Sequence, residues 1–433
     1  MNSAADFIDF VKQSPTAFHA IDALRHTLEA DGYRPLNECE GWTVVPGGKY
    51  YVTRNRSALI AFRVPESGFA PFQIVASHSD SPSFKLKPAC EDEAAGHYIR
   101  LNTEKYGGML MASWFDRPLG IAGRLLVRTE RGIETRLVDL DRDAVLIPNM
   151  PIHFNREVND GYKYNAQVDL LPVYGDETAK GALSKELAEK TGVSEESVVG
   201  SDLFLYNRAA GSVWGAKNEF FSCGRIDDLE CAYTSTCAFL EAVPKGHINV
   251  LAVMDNAEVG SGTKQGADST FLEDTLARIA SAMGKTDSER RAAVAGSFMV
   301  SADNAHAVHP NHPEKYDAGN RTFMNGGVVI KFNANQKYTT DGVSCAIFES
   351  VCARAGVPVQ HFANRSDILG GSTLGNIANA HTSMNTVDIG LAQLAMHSAY
   401  ETAGCKDIEY MIRALKAFYE TDIRMQADGV FEI

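Results

Sequence analysis

The chain has no long apolar run, no basic cluster and no paired-cysteine motif, and each absence narrows what it can do. No segment approaches the roughly eighteen consecutive apolar residues of a membrane-crossing helix, so no membrane span is expected. Lysine and arginine number 41 against 55 aspartates and glutamates, a net charge of -14 at pH 7. Phosphate backbones are held by clustered basic side chains, so nucleic acid is not an expected partner. The eight cysteines contain no C-x-x-C pair and read as small core residues of a reduced, cytoplasmic protein. Met1 to Ala17 mixes Asp6, Asp9 and Lys12 with Phe7, Ile8, Phe10 and Val11, which fits an amphipathic helix and not a signal peptide. A G-x-S-x-G elbow is missing, which leaves a serine hydrolase without support. The glycines of Gly260-Ser-Gly262-Thr-Lys-Gln-Gly266 miss the dinucleotide spacing by one position. His306, His309 and His312 form a histidine-rich stretch without the H-E-x-x-H pattern and read as structural or supporting residues.

At 433 residues the chain is long enough for two domains. Ser14-Pro15-Thr16 marks a helix start, and the helix runs to about Ala30 before Gly32. Strands are expected at Lys49 to Thr53, Leu59 to Val64 and Phe72 to Ala76. From about Cys90 to Val213 the texture turns β-rich, with strands at Ile121 to Arg128, Glu134 to Val138 and Val168 to Val173 and one helix at Ala182 to Thr191. After Gly215, helices alternate with strands: helix Leu229 to Ala242, strand His247 to Met254, helix Ser269 to Met283 and strand Ser297 to Ser301. Strand Gly327 to Phe332, helix Ser344 to Ala355 and strand Thr386 to Ile389 follow. This alternation predicts an α/β fold with a mixed, mostly parallel sheet covered by helices. The expected division is a discontinuous domain of residues 1–90 and 214–433, with a β-rich insert at 91–213.

Open sheets of this kind place their chemistry where strands end. The apolar run His247 to Val253 leads into Met254-Asp255-Asn256-Ala257-Glu258-Val259-Gly260-Ser261, whose Glu258 is a ligand-type carboxylate. His78 and Asp80 follow the strand Phe72 to Ala76, and Asp303 follows Phe298 to Ala302. His397 follows the last sheet strand, and Asp227 and Asp228 precede a helix, where the plain reading is an N-cap pair. Singly, each residue has an ordinary structural role. Together, two histidines and three carboxylates at element boundaries suit two divalent metals with one bridging carboxylate. Imidazole and carboxylate donors favour zinc, and manganese or cobalt also fit. Such a pair lowers the pKa of water to about 7 and polarises a carbonyl, as hydrolysis requires.

These motifs resemble those of the aspartyl aminopeptidase family of dinuclear zinc metallopeptidases, nearly end to end. The resemblance rests on Ser14 to Ala20, Ser77-His78-Ser79-Asp80-Ser81-Pro82, Arg225-Ile226-Asp227-Asp228-Leu229, Asp303 to Asn311 and Gln393 to Ser398. It implies His78, Asp227 and Asp303 around one metal and Asp227, Glu258 and His397 around the other, with Asp227 bridging and Asp80 orienting His78. Lys331 matches a lysine that pairs with an acidic substrate side chain, and Tyr338 a tyrosine near the reacting carbonyl. His153 resembles a histidine donated by the insert to a neighbouring subunit. The family builds dimers through that insert and assembles them into dodecamers, so self-association is expected, with peptides bearing an acidic N-terminal residue as substrates.

One position departs. The family motif reads Asp-Asn-Glu-Glu-Val-Gly-Ser, its first Glu the general base, and here that position is Ala257. A positioned base contributes roughly 10²–10⁴-fold, so turnover is expected to be severely reduced. A lone loss in an intact motif fits a substitution introduced to trap substrate better than a natural binding variant. The leading expectation is a metallo-aminopeptidase that removes N-terminal Asp or Glu. The alternative is a catalytically inactive, oligomeric peptide-binding homologue.

Overall fold

A computed structural model describes residues 3–433. Its spine is a nine-stranded sheet in the order Arg34–Pro35, Lys49–Arg54, Ala58–Arg63, Ile248–Met254, Phe72–His78, Phe298–Ala302, Asn385–Gly390, Val328–Phe332, Val359–Ala363. The four strands Ile248–Met254, Phe72–His78, Phe298–Ala302 and Asn385–Gly390 run parallel at the centre. Alternate side chains divide between the two faces, as a strand's period of two demands. Leu59, Ala61, Val75, Leu251, Val253 and Val300 pack against helices Ala17–Ala30, Ile226–Glu241 and Cys405–Glu420. Ile60, Phe62, Ile74, Ala76, Val250 and Met299 pack on the other face with helix Phe271–Ala282. Both faces are buried, which is why the central strands read as unbroken apolar runs.

The β-rich part forms a six-stranded antiparallel sheet in the order Gly132–Asp139, Leu119–Thr129, Val198–Asn207, Ser83–Ala94, Tyr98–Tyr106, Val173–Asp176. Phe84, Leu101, Ile121, Leu125, Leu203 and Leu205 make a separate core with Leu183 and Leu187 of helix Ala182–Thr191. The expected strand at Val168 to Val173 is mostly absent. A short helix, Ala166–Asp169, takes its place because the Asn165 side chain accepts the Gln167 N–H and caps the turn. The strand begins only at Val173, after Pro172.

A third, five-stranded sheet was not foreseen. It joins Ser212–Trp214, Phe220–Cys223, Glu401–Gly404, Ala392–Leu394 and Ala305–His306, strands of two to four residues. Elements this short carry no readable periodicity; only distant pairing makes them strands. Among the described residues, no helix is long and apolar enough to cross a membrane.

Candidate metal centre

The parallel register sets the site. Met254 pairs with His78 and Ser301 with Ala76, so neighbouring strands end at one level and release their loops into one crevice. His78 closes the strand Phe72–His78; the Ala257–Val259 turn follows Ile248–Met254, and Asp303 follows Phe298–Ala302. Asp227 and Asp228 enter from the start of helix Ile226–Glu241, where neither has helical dihedrals and neither caps the helix, so the N-cap reading fails. Several backbones here hold left-handed angles that non-glycine residues rarely adopt: Arg225, Asn256, Ser261, Ala395 and His397. Such strain persists where the surroundings over-determine it, often at functional sites.

Asp227 stands at the centre. Its Oδ1 lies 3.6 Å from His78 Nε2, and its Oδ2 lies 3.3 Å from His397 Nε2. His397 Nε2 is also 3.3 Å from Glu258 Oε1. His78, Asp227, Asp228 and Asp303 can bring one donor atom each within 4.8 Å of the others, and so can Asp227, Glu258 and His397. The two groups share Asp227.

The charge balance is unusual. Asp227 Oδ1, Asp228 Oδ1 and Glu258 Oε1 are buried without a hydrogen bond. Burial pushes the Glu258 carboxyl up to about 7 and raises Asp303 as well. Burial alone would lower His397, but Asp227 and Glu258 outweigh it and push the imidazole up to about 11. His78 is likewise held well above the usual histidine range: Asp228, Asp80 and Asp303 overcome its desolvation. Buried polar atoms normally find partners. A buried carboxylate cluster that lacks them, set between two imidazoles, is a donor set fitted to multivalent cations.

Supporting residues hold this set. The Asp80 carboxylate accepts the N–H groups of Ala257 and Glu258, both at 3.1 Å, and the Tyr106 hydroxyl at 2.8 Å. Its Oδ1 is 3.2 Å from His78 Nδ1, so one aspartate fixes both the imidazole and the turn opposite. Glu401 does the same on the other side, accepting N–H groups from His397 at 2.7 Å and from Ile226 and Asp227 at 2.6 and 3.2 Å. Gly107 packs below Glu258 at φ +79°, where a Cβ would come within 3.1 Å of the Glu258 Cβ. Sequence reasoning missed Glu401, Tyr106 and the approach of Asp228. Glu401 had a readable signal: a carboxylate four residues after a ligand-type histidine.

A cavity of about 180 Å³ opens onto the cluster. Lys331 and Tyr338 line it, together with Ala257, His306, Thr373 and Leu374. Lys331 is 2% exposed and does not snorkel to solvent. Its Nζ donates to the Asp303 carbonyl oxygen at 2.7 Å, lies 3.9 Å from Asp303 Oδ1 and sits 5.2 Å from the centre of the Tyr338 ring. Burial opposes its charge, yet Asp303 and Tyr338 hold its pKa above the usual lysine value. His306 is pulled down by burial and by Lys331. His309 and His312 lie outside the cavity, and His153, on an exposed segment, does not line it either.

The model of the aminopeptidase I zinc metalloprotease (M18) family matches residues 10–419. The chain belongs to the M18 peptidase family. This M18 chain is 46% identical over 425 residues to a probable M18 family aminopeptidase 2 of Clostridium acetobutylicum, covering 96% of this chain and 98% of that one. It is 42% identical over 424 residues to a Pseudomonas aeruginosa protein of the same description, covering 95% and 96%. Its fold is similar to a chain in the cryo-EM structure of the Ape4 and Nbr1 complex, with a TM-score of 0.93, 35% identity and coverage of 96% and 85%. It is also similar to the S. cerevisiae mApe1 dodecamer, with a TM-score of 0.85, 28% identity and 96% of each chain covered. The M18 chain is thus of the zinc metallo-aminopeptidase type, a hydrolase with divalent-metal chemistry, and its mixed α/β fold carries the added β-rich part expected from the sequence.

Proposed function

We propose that this M18 chain binds two divalent ions, zinc by preference, and takes peptides with an N-terminal Asp or Glu. His78, Asp227 and Asp303 would hold one ion and Asp227, Glu258 and His397 the other. The observation that carries this is Asp227, whose two carboxylate oxygens face different imidazoles. Bound there, the ions supply Lewis-acid polarisation of the scissile carbonyl and a more acidic water. Asp80 and Glu401 hold the donor set in register. Lys331 offers a buried point charge to an acidic side chain, in a cavity whose carboxylates are otherwise engaged with imidazoles or with Lys331 itself. Tyr338, beside it, would approach the reacting carbonyl.

The turnover of this chain would be limited by the lack of a proton acceptor. Ala257 lines the cavity next to Glu258 and carries no titratable group. The other carboxylates lining that cavity are Asp227, Glu258 and Asp303, all assigned to metal. His306 also lines the cavity, but burial and Lys331 lower its pKa and so weaken it as a proton acceptor. We therefore read the chain as strongly impaired in cutting while intact in binding. The inactive peptide-binding homologue is the second reading, and Ala257 is the observation that favours it.

Self-association follows the same logic. A related structure is a dodecamer, and exposed His153 lies beside exposed Ile152 and Phe154 on a segment suited to reach a neighbouring subunit's cavity. We propose dimers through the β-rich part (residues 91–213), assembled into a dodecamer in the cytoplasm. The discriminating experiment assays this chain beside Ala257→Glu, with aspartyl and glutamyl substrates and added zinc or manganese. Turnover restored by the glutamate supports the enzyme reading; no activity in either protein despite bound metal sinks it.

A further inference from the structure

We propose that Cys345, Glu349 and His361 form a separate binding site for one transition-metal ion of the zinc class, on the far edge of the main sheet. None of the three lines the catalytic cavity. Cys345 and Glu349 stand one turn apart on helix Gly342–Ala355, so their side chains share a face, and His361 comes from the neighbouring strand Val359–Ala363. Their donor atoms can all come within 4.8 Å of one another. His361 Nε2 lies 4.0 Å from Cys345 Sγ and 2.8 Å from Glu349 Oε1. Around a tetrahedral zinc, such sulfur–nitrogen and nitrogen–oxygen pairs stand about 3.5 and 3.3 Å apart. Glu349 and His361 are half-exposed, which leaves their side chains room to adjust toward it.

The donors suit the ion. A thiolate, an imidazole and a carboxylate form a borderline set that selects zinc-like ions over magnesium or calcium, and the half-open position leaves room for a water. Unliganded, the Cys345 thiol is pushed up to about 11 by burial and by Glu349 and Asp341, so it stays protonated. Binding releases that proton to solvent as the sulfur–metal bond forms, and nothing is oxidised or reduced. Phe332 packs its ring edge-on against His361 at 5.6 Å, which orients the imidazole. The strand Val359–Ala363 is the last of the sheet and pairs only with Val328–Phe332, where His361 opposes Ile330 and Phe362 opposes Lys331. An ion here would pin that edge strand to the helix and brace the strand that carries Lys331.

Cobalt(II) added to the full-length protein tests the site, because a thiolate ligand gives a near-ultraviolet charge-transfer band. No cysteine lines the catalytic cavity, and Cys231, behind it with its Sγ 2.9 Å from Asn304 Oδ1, is controlled for by Cys231→Ala, which should leave the band in place. The expected result is a band that saturates at one ion per chain, is displaced by zinc, persists in Asp227→Asn and vanishes in Cys345→Ser. His361→Gln, at a half-exposed position that spares the core, should weaken the apparent affinity by at least about 10-fold while circular dichroism stays unchanged. Absence of the band at saturating cobalt overturns the site and leaves His361 and Glu349 as a surface ion pair beside a core thiol. A band that survives Cys345→Ser overturns it as well.

Discussion

Two groups of semi-buried carboxylates in this protein have opposite fates. Where the six-stranded sheet meets the N-terminal segment, Asp202 accepts hydrogen bonds from Lys85 Nζ and Arg124 Nε, both at 2.8 Å. Arg124 also donates to the Asn55 carbonyl and stacks over the Phe18 ring at 4.3 Å. Burial works against Asp202, but those two cations keep its pKa below the usual aspartate value. At the strand ends, Glu258 and Asp303 are raised instead, and buried carboxylate oxygens of Asp227, Asp228 and Glu258 lack hydrogen bonds. The first group brings its own counter-charge and serves to hold the chain together. The second is short of it, with Lys331 as the one lysine lining its cavity, and is built to take charge from outside. A carboxylate's role is read from what neutralises it.

The largest effect should come from restoring the acid that the second group lacks. Ala257→Glu is expected to raise kcat on aspartyl peptides by roughly 10²–10⁴-fold without changing metal content, measured by steady-state kinetics on zinc-loaded protein. Glu258→Gln should cost one metal ion per chain by elemental analysis. Metal-free, the same variant should unfold within about 1 kcal/mol of its parent at pH 7, because burial leaves the Glu258 carboxyl only partly ionised and Asp227 still faces His397. If its metal-free form instead loses as much stability as a broken ion pair, the contrast between the two groups collapses.

Lys331→Met is expected to reduce the acidic-to-neutral ratio of kcat/KM by about 10- to 100-fold in an Ala257→Glu background. An unchanged ratio would point to a neutral-preferring aminopeptidase. Asp202→Asn, in the paired group, should destabilise by about 1.5–3 kcal/mol at pH 7 in urea unfolding, with catalysis per folded molecule unaltered. The sign follows from linkage: a carboxylate depressed in the folded state stabilises above its unfolded pKa of about 3.9. That contribution is lost as pH falls through the lower folded value, so variant and parent should converge in acid. A gap that persists there would assign the effect to packing.

Seven of the nine strands of the main sheet were legible to within a residue or two, as buried apolar runs ending in polar loops such as Phe72–His78 and Ile248–Met254; the exposed Arg34–Pro35 and the half-exposed edge strand Val359–Ala363 were not. Helix Ala182–Thr191 was legible from its amphipathic pattern and the glycine that ends it. Val168 to Val173 misled because a side-chain cap at Asn165 outweighed β propensity. Tyr106 was invisible for another reason: its partner Asp80 lies far away in sequence and nothing local announces it, while for Glu401 only the four-residue spacing from His397 was readable, not its bonds to Ile226 and Asp227.

The sequence alone determined the donor types, their positions at element ends and the gap at Ala257, since those are properties of residues and of period-two and period-3.6 burial. Only the tertiary structure decided that Asp227 lies between two imidazoles, that Asp80 fixes both His78 and the Ala257–Glu258 turn, and that Cys345 meets His361. Those contacts join segments that are near only because parallel strands in register deliver their ends to one level. Pairing between distant segments obeys the packing of the whole core, and no local window of residues contains it.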